Sequence, residues 1–169
     1  MAGVRMVISG HEISKGGMVS SGKFSTQEQP AGFDLTVCKV YGFDSAGAID
    51  GDNSKRKLPQ TTELPFPADG SPLHLPPGTY KVQFNELVKI PPDCIALALP
   101  RSSLLRMGVS AHNALWDPGY EGRSEGMIFV ANPHGVEIYP NAKLVQLVFL
   151  RMEGEAKSLY RGVYHGENK

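Results

Sequence analysis

Glycine and proline set the first limit on what this chain can become. With 19 glycines and 13 prolines spread over 169 residues, the apolar sequence is cut into short stretches that favour strands joined by turns over long helices. The fold class this predicts is mostly β. Tyr80, Val82 and Phe84 alternate with Lys81 and Gln83 behind the turn former Pro76-Pro77-Gly78, which is the period-two pattern of a half-buried strand. Cys94 to Leu99 is continuously apolar and reads as a strand buried on both faces. Leu144 to Leu150 is a second such run, broken only by Gln146. Two short helices are expected. The first is Gly10 to Lys15, where Ser9 and Glu12 have capping-box spacing and Gly16-Gly17 ends the run. The second is Leu104 to Met107, capped from Arg101-Ser102-Ser103 and stopped at Gly108.

Length and composition narrow the classes of function. A chain of 169 residues is the size of one domain, and strand patterns continue on both sides of residues 43–76. That stretch, rich in Gly, Asp, Ser and Pro with a cationic knot at Lys55-Arg56-Lys57, therefore reads as a surface excursion within the domain. Seventeen basic residues balance 17 acidic ones, which leaves no global field of the kind that captures polymeric nucleic acid, so any anion site must be local. No apolar run approaches the roughly 20 residues that span a bilayer, and Met1 to Gly10 lacks a long apolar signal core. No membrane partner is expected, and the expected compartment is the cytoplasm. Cys38 and Cys94 lie in apolar segments without Cys-x-x-Cys spacing and read as buried free thiols.

Several residues have the chemistry of a site. Pro100 to Gly108 puts Arg101, Ser102 and Ser103 at the start of a short helix, where free N–H groups and an arginine fork suit phosphate oxygens, with Arg106 one turn on. The same segment also reads as an ordinary capped helix with solvent-facing arginines. Asp117 opens the turn Asp117-Pro118-Gly119-Tyr120, either for conformational reasons or as a general base on a water. Gln146 sits in a run that wants burial, so its amide bonds backbone or reaches a ligand. Asp34 is a turn cap or an outer-shell magnesium ligand. His112 reads as a loop or core histidine. No Ser-His-acid arrangement and no zinc-ligand spacing can be assembled from the sequence.

In order and spacing these features resemble the dUTPase and dCTP deaminase superfamily over nearly the whole chain. Gln29 to Leu35 is similar to that family's first motif, Arg101 to Gly108 to its second, Asp117 to Gly122 to its third, and Asn141 to Leu150 to its fourth. Leu75-Pro76-Pro77-Gly78, Lys89-Ile90-Pro91-Pro92 and the double serine Ser102-Ser103 resemble the deaminase-like branch in particular. The resemblance implies a distorted jelly-roll of the β-clip type, assembled as a homotrimer with active sites built from more than one subunit. It implies a deoxyribonucleoside triphosphate substrate held by Arg101, Ser102, Ser103, Arg106 and Gln146, with Tyr120 against the deoxyribose. Asp117 would activate the water that attacks the α-phosphorus, and magnesium (Mg2+) would bridge the phosphates, with Asp34 touching its water shell.

One position separates the two activities. Deaminases of the family carry a glutamate three residues before the asparagine that follows the third motif, whereas Phe129 stands three before Asn132 here. A phenylalanine cannot shuttle the protons that deamination needs, so the expected activity is hydrolysis of dUTP to dUMP and pyrophosphate. The span from Asp117 to Asn132 is two residues longer than the deaminase pattern and contains Glu125, which keeps dCTP deaminase as the alternative, with a non-catalytic nucleotide-binding relative behind it. Arg123-Ser124-Glu125-Gly126 itself reads as an exposed turn. Residues 1–155 form the expected β domain. Residues 156–169 form the expected flexible arm that closes over the site, with Tyr160 stacking on the base.

Overall fold

The computed structural model describes residues 6–169. The expectations for the start of the chain fall partly on residues 1–5, outside the described residues. Six strands carry the architecture: β1 (Gly32–Phe43), β2 (Gly78–Phe84), β3 (Cys94–Pro100), β4 (Val109–His112), β5 (Glu125–Val130) and β6 (Lys143–Arg151). They run antiparallel in the order β6-β1-β2-β5-β4, with β3 on the other side of β6. β1 is long enough to serve two neighbours. Its first half pairs with β6 and its second half with β2, and register shifts near Val37 and near Lys143 bend the sheet at the handover. The curled, nearly all-β architecture is the distorted jelly-roll that the resemblance implied.

The core follows the pleat. Val37, Val40, Val82, Phe84, Ile128, Val130, Leu147 and Phe149 are buried, each such side chain contributing roughly 1.5–3 kcal/mol relative to exposure. β6 is an interior strand, as its apolar run predicted. β3 departs from expectation, because Leu97 and Leu99 are 42% and 60% exposed while Cys94 and Ala96 on the opposite face are buried. An unbroken apolar strand cannot show which of its faces meets its own core. Cys38 and Cys94 are free thiols, and burial pushes the Cys94 thiol up to about 11.

Both expected helices form. α1 (Gly10–Lys15) is capped by Ser9, whose Oγ accepts the Glu12 N–H at 3.4 Å, and the chain turns away at Gly16. α2 (Ser102–Arg106) begins directly after Arg101 with no side-chain cap, so the hydroxyls of Ser102 and Ser103 are not used as its caps. The excursion is ordered in part: Thr61–Leu64 pairs with the end of β1, and Leu73–Leu75 pairs with Val136–Ile138.

A polar cluster sits inside the apolar shell. Glu86 is fully buried, and its carboxylate accepts the Thr36 N–H at 2.9 Å, the Thr36 hydroxyl at 2.6 Å and the Gln27 amide at 2.7 Å. The Gln27 amide also donates to the Asp34 carbonyl at 2.8 Å, and its own oxygen takes the N–H groups of Lys23 and Phe24. No cationic side chain pairs with Glu86 among the described residues. Burial therefore raises its carboxyl, against the pull of those donors. A carboxyl raised on folding stabilises fully below its unfolded value and loses that contribution as pH climbs through the folded one. The melting temperature of the native protein minus that of Glu86→Gln, measured from pH 4 to pH 8, is expected to fall as pH rises, and a difference that stays flat or grows contradicts a raised Glu86.

Candidate active site

The site residues fall into two groups on the fold. The first lies where β1 meets β6. Asp34 stands opposite Gln146 in register, and Gln146 stands opposite Leu99 on β3, so these three side chains share one face. Asp34 is 1% exposed and pairs through Oδ2 with Arg101, with Lys143 at 3.6 Å and with the Gln29 amide at 3.0 Å. Burial pushes its carboxyl up, while Arg101 and then Lys143 pull it back. Arg101 is thereby held at the entry to α2, its backbone N–H bonded to the Leu144 carbonyl at 3.0 Å. Gln146 is half-buried, and its amide makes no hydrogen bond to protein among the described residues, so of its two readings the backbone partner is the one not met. Ser102, Ser103 and Arg106 are exposed on α2.

The second group surrounds Asp117. The Tyr120 N–H donates to the Asp117 carbonyl at 3.1 Å, with Pro118 inside the turn and Gly119 at φ +83°, the residue pattern of a type II turn. Gly119 is required twice over, since a Cβ there would stand 2.7 Å from the Leu159 side chain. Trp116 anchors the turn by a reciprocal backbone bridge to Ala96. Asp117 is exposed at the wall of a cavity of about 470 Å³. Trp116, Tyr120, Tyr160 and Tyr164 line it, together with Phe43, Leu58, Pro59 and Thr61 from the excursion. Lys81, Glu125 and Glu167 supply its charge.

Residues 156–169 fold back onto their own subunit. The Tyr160 N–H meets the Pro118 carbonyl at 2.8 Å, the Gly166 N–H meets the Glu121 carbonyl at 2.7 Å, and the rings of Tyr120 and Tyr160 lie 5.9 Å apart at 58°. The Tyr120 hydroxyl donates to Glu167 at 2.7 Å. Burial, then that bond, raises the Tyr120 phenol, and burial raises the Glu167 carboxyl.

The chain brings Asp117, Tyr120 and Tyr160 to a single cavity, and it brings Asp34, Arg101 and Gln146 together elsewhere. Arg101, Ser102, Ser103, Arg106, Asp34 and Gln146 do not line the Asp117 cavity. Glu125 differs from the exposed turn expected of it: Ser124 is buried, and Glu125 opens β5, pairs with Lys81 at 3.1 Å and faces the cavity. Phe129, further along the same strand, is 45% exposed and outside the cavity. His112 is an exposed strand end whose ring lies 3.0 Å from the Ser110 hydroxyl. The sequence reading missed the wall built by Phe43, Leu58, Pro59 and Thr61, and it missed Glu167. Phe43 and Thr61 stand opposite each other where Thr61–Leu64 pairs with β1, and no local pattern announces that pairing.

An aromatic cavity with acidic residues thus lies apart from an arginine held by a buried carboxylate. Residues 9–152 match the dCTP deaminase-like family, and the chain belongs to that family. It is similar to proteins of Methanosarcina mazei, 48% identical over 143 residues covering 85% of this chain and 83% of the relative, and of Archaeoglobus fulgidus, 43% identical over 167 residues covering 96% and 97%. Each carries the name "Probable deoxyuridine 5'-triphosphate nucleotidohydrolase". Among solved structures it resembles the 2'-deoxycytidine 5'-triphosphate deaminase of Agrobacterium tumefaciens, with a TM-score of 0.66 and 22% identity, a likeness of fold. The match covers 86% of this chain and spans about half of that deaminase, 49% of its length.

Removing the anion that holds Arg101 and Lys143 leaves two cations without their counter-charge. Asp34→Asn is expected to lower the unfolding free energy by about 1–2 kcal/mol in urea titration, since Arg101 and Lys143 are partly exposed and regain water. A loss under about 0.5 kcal/mol, ordinary for an exposed pair, contradicts a structural role for the ion pair.

Proposed function

We propose that the chain is a dUTP nucleotidohydrolase that converts dUTP and water to dUMP and pyrophosphate. The observation that carries this reading is the 43–48% identity to archaeal relatives bearing that name over 85–96% of the chain. The site chemistry agrees with it. Asp117 is an exposed carboxylate beside an aromatic cavity, with the reach of a general base. It takes a proton from the attacking water as the water oxygen bonds to the α-phosphorus, the bond from that phosphorus to the bridging oxygen breaks, and pyrophosphate leaves. Tyr120 packs on the deoxyribose and Tyr160 on the base. Arg101, Ser102, Ser103, Arg106 and the unpartnered amide of Gln146 hold phosphate oxygens.

Because those phosphate-binding groups and Asp117 line no common cavity in one subunit, a complete site takes them from different subunits. Leu97, Leu99, Met127 and Phe129 are exposed apolar side chains on β3 and β5, surface of the kind that marks association. A homotrimer that buries them and joins the two half-sites is the assembly this reading requires. The tail 156–169 is the segment that closes over the cavity.

Among the described residues no group of three or more His, Cys, Asp or Glu side chains forms a metal cage. That donor set fits a magnesium ion held chiefly by substrate oxygens and water. All the side-chain partners of Asp34 sit on Oδ2, and Asp34 would be the carboxylate to touch the water shell of such an ion. When bound with the triphosphate, magnesium offsets charge on the departing pyrophosphate.

One observation favours deamination instead, namely that Glu125 faces the cavity. Glu125 is paired with Lys81, which lines the same cavity, so it is not free to serve a pyrimidine. Purified protein with magnesium is expected to yield dUMP and pyrophosphate from dUTP and no ammonia from dCTP, with Asp117→Asn losing at least about a hundredfold in kcat. Ammonia from dCTP, or an Asp117→Asn protein as active as the native one, overturns the assignment.

A further inference from the structure

The tail places a carboxylate inside the cavity for which the proposed hydrolysis has no chemical task. Glu167 accepts the Tyr120 hydroxyl at 2.7 Å, and the contact is built from both sides. Tyr120 is 6% exposed, so its hydroxyl has little water to turn to and needs a protein partner. Glu167 itself is pinned by its own backbone, since its carbonyl accepts the Arg123 N–H at 3.0 Å and the neighbouring Gly166 N–H donates to the Glu121 carbonyl at 2.7 Å. Asn168 adds a bond to the Arg123 carbonyl at 3.0 Å, and Lys169 pairs with Glu121 at 2.8 Å. The space between the tyrosine and the tail exists because residue 122 is glycine. A Cβ there would stand 2.9 Å from the Tyr120 hydroxyl and 3.2 Å from Glu167 Cγ.

We propose that Glu167 is a positioning residue that holds the Tyr120 ring against the sugar edge of the bound nucleotide and so enforces selection of deoxyribose over ribose. The inference rests on the reading that Tyr120 packs on the sugar. A ring fixed at its hydroxyl end by Glu167 and flanked by Tyr160 cannot tilt to admit a 2'-hydroxyl. A ring released from Glu167 can tilt, and ribonucleotides then fit with less penalty. Because the partner is carried on the tail, selectivity also depends on the tail being docked: the same segment that shields the cavity completes its steric filter.

The test measures affinity for dUMP and UMP by calorimetry, alongside kcat/KM for dUTP and UTP, in native protein, Glu167→Ala, Glu167→Gln, Tyr120→Phe and the double variant Tyr120→Phe/Glu167→Ala. Glu167→Ala is expected to lose roughly tenfold in the deoxy-over-ribo ratio, mainly by gaining ribonucleotide. Tyr120→Phe, which keeps the ring and removes the shared hydrogen bond, is expected to match it, and the double variant to fall no further. Glu167→Gln retains an acceptor and is expected to stay near the native ratio. A merely structural loss of the tail weakens both nucleotides alike and leaves the ratio unmoved, and that result, or additive effects of the two single changes, overturns the proposal. The monophosphate affinities do not depend on catalysis. Native protein that prefers dUMP yet fails to hydrolyse dUTP therefore refutes the hydrolytic reading while the role of Glu167 is still decided by the affinity ratio.

Discussion

Two carboxylates enclosed near the start of β1 must be partnered, and satisfying them organises much of the molecule. Asp34 and Glu86 are 1% and 0% exposed, and a buried charge without partners costs several kcal/mol. Glu86 is satisfied by Thr36 on β1 and by Gln27, whose second bond runs to the Asp34 carbonyl. Asp34 is satisfied by Arg101 and Lys143. One network thus joins the segment before β1, β1 itself, the end of β2, the entry to α2 and the start of β6. Arg101 is a member of that network, so its position is set by the core.

The second constraint is the turn at Asp117. Its carboxylate is aimed by a turn that needs proline and a positive-φ glycine, and that turn is closed from outside by Leu159 and by the Tyr160 backbone. The tail therefore both lines the cavity and buttresses the Asp117 turn. The excursion supplies Phe43, Leu58, Pro59 and Thr61 to the cavity lining, a place in the site that its composition as a surface excursion did not show.

Much of this was legible in the sequence. Helix α1 and its Ser9 cap, the half-buried strand through Tyr80–Phe84 and the interior β6 follow from local periodicity and capping, which short segments encode by themselves. Other features depend on contacts between distant segments. Leu97 and Leu99 could not be assigned to an outer face, because an apolar run has no internal sign of which side meets the core. Glu125 could not be placed, since its meaning comes from Lys81 on a neighbouring strand. The cavity role of Glu167 depends on a tail that returns across the Asp117 turn. The order of the four motifs named the family, but it did not show that one chain holds Arg101 and Gln146 apart from the Asp117 cavity.

That separation is the centre of the account, and mixing subunits tests it most directly. Arg101→Ala and Asp117→Asn are each prepared as inactive proteins, unfolded together and refolded at equal amounts, then assayed for release of pyrophosphate from dUTP. If each site takes Arg101 and Asp117 from different subunits, hybrid assemblies contain sites with both residues native, and activity returns to about a quarter of the native level. A mixture as inactive as its two parents would contradict the account and place the whole catalytic set within one chain.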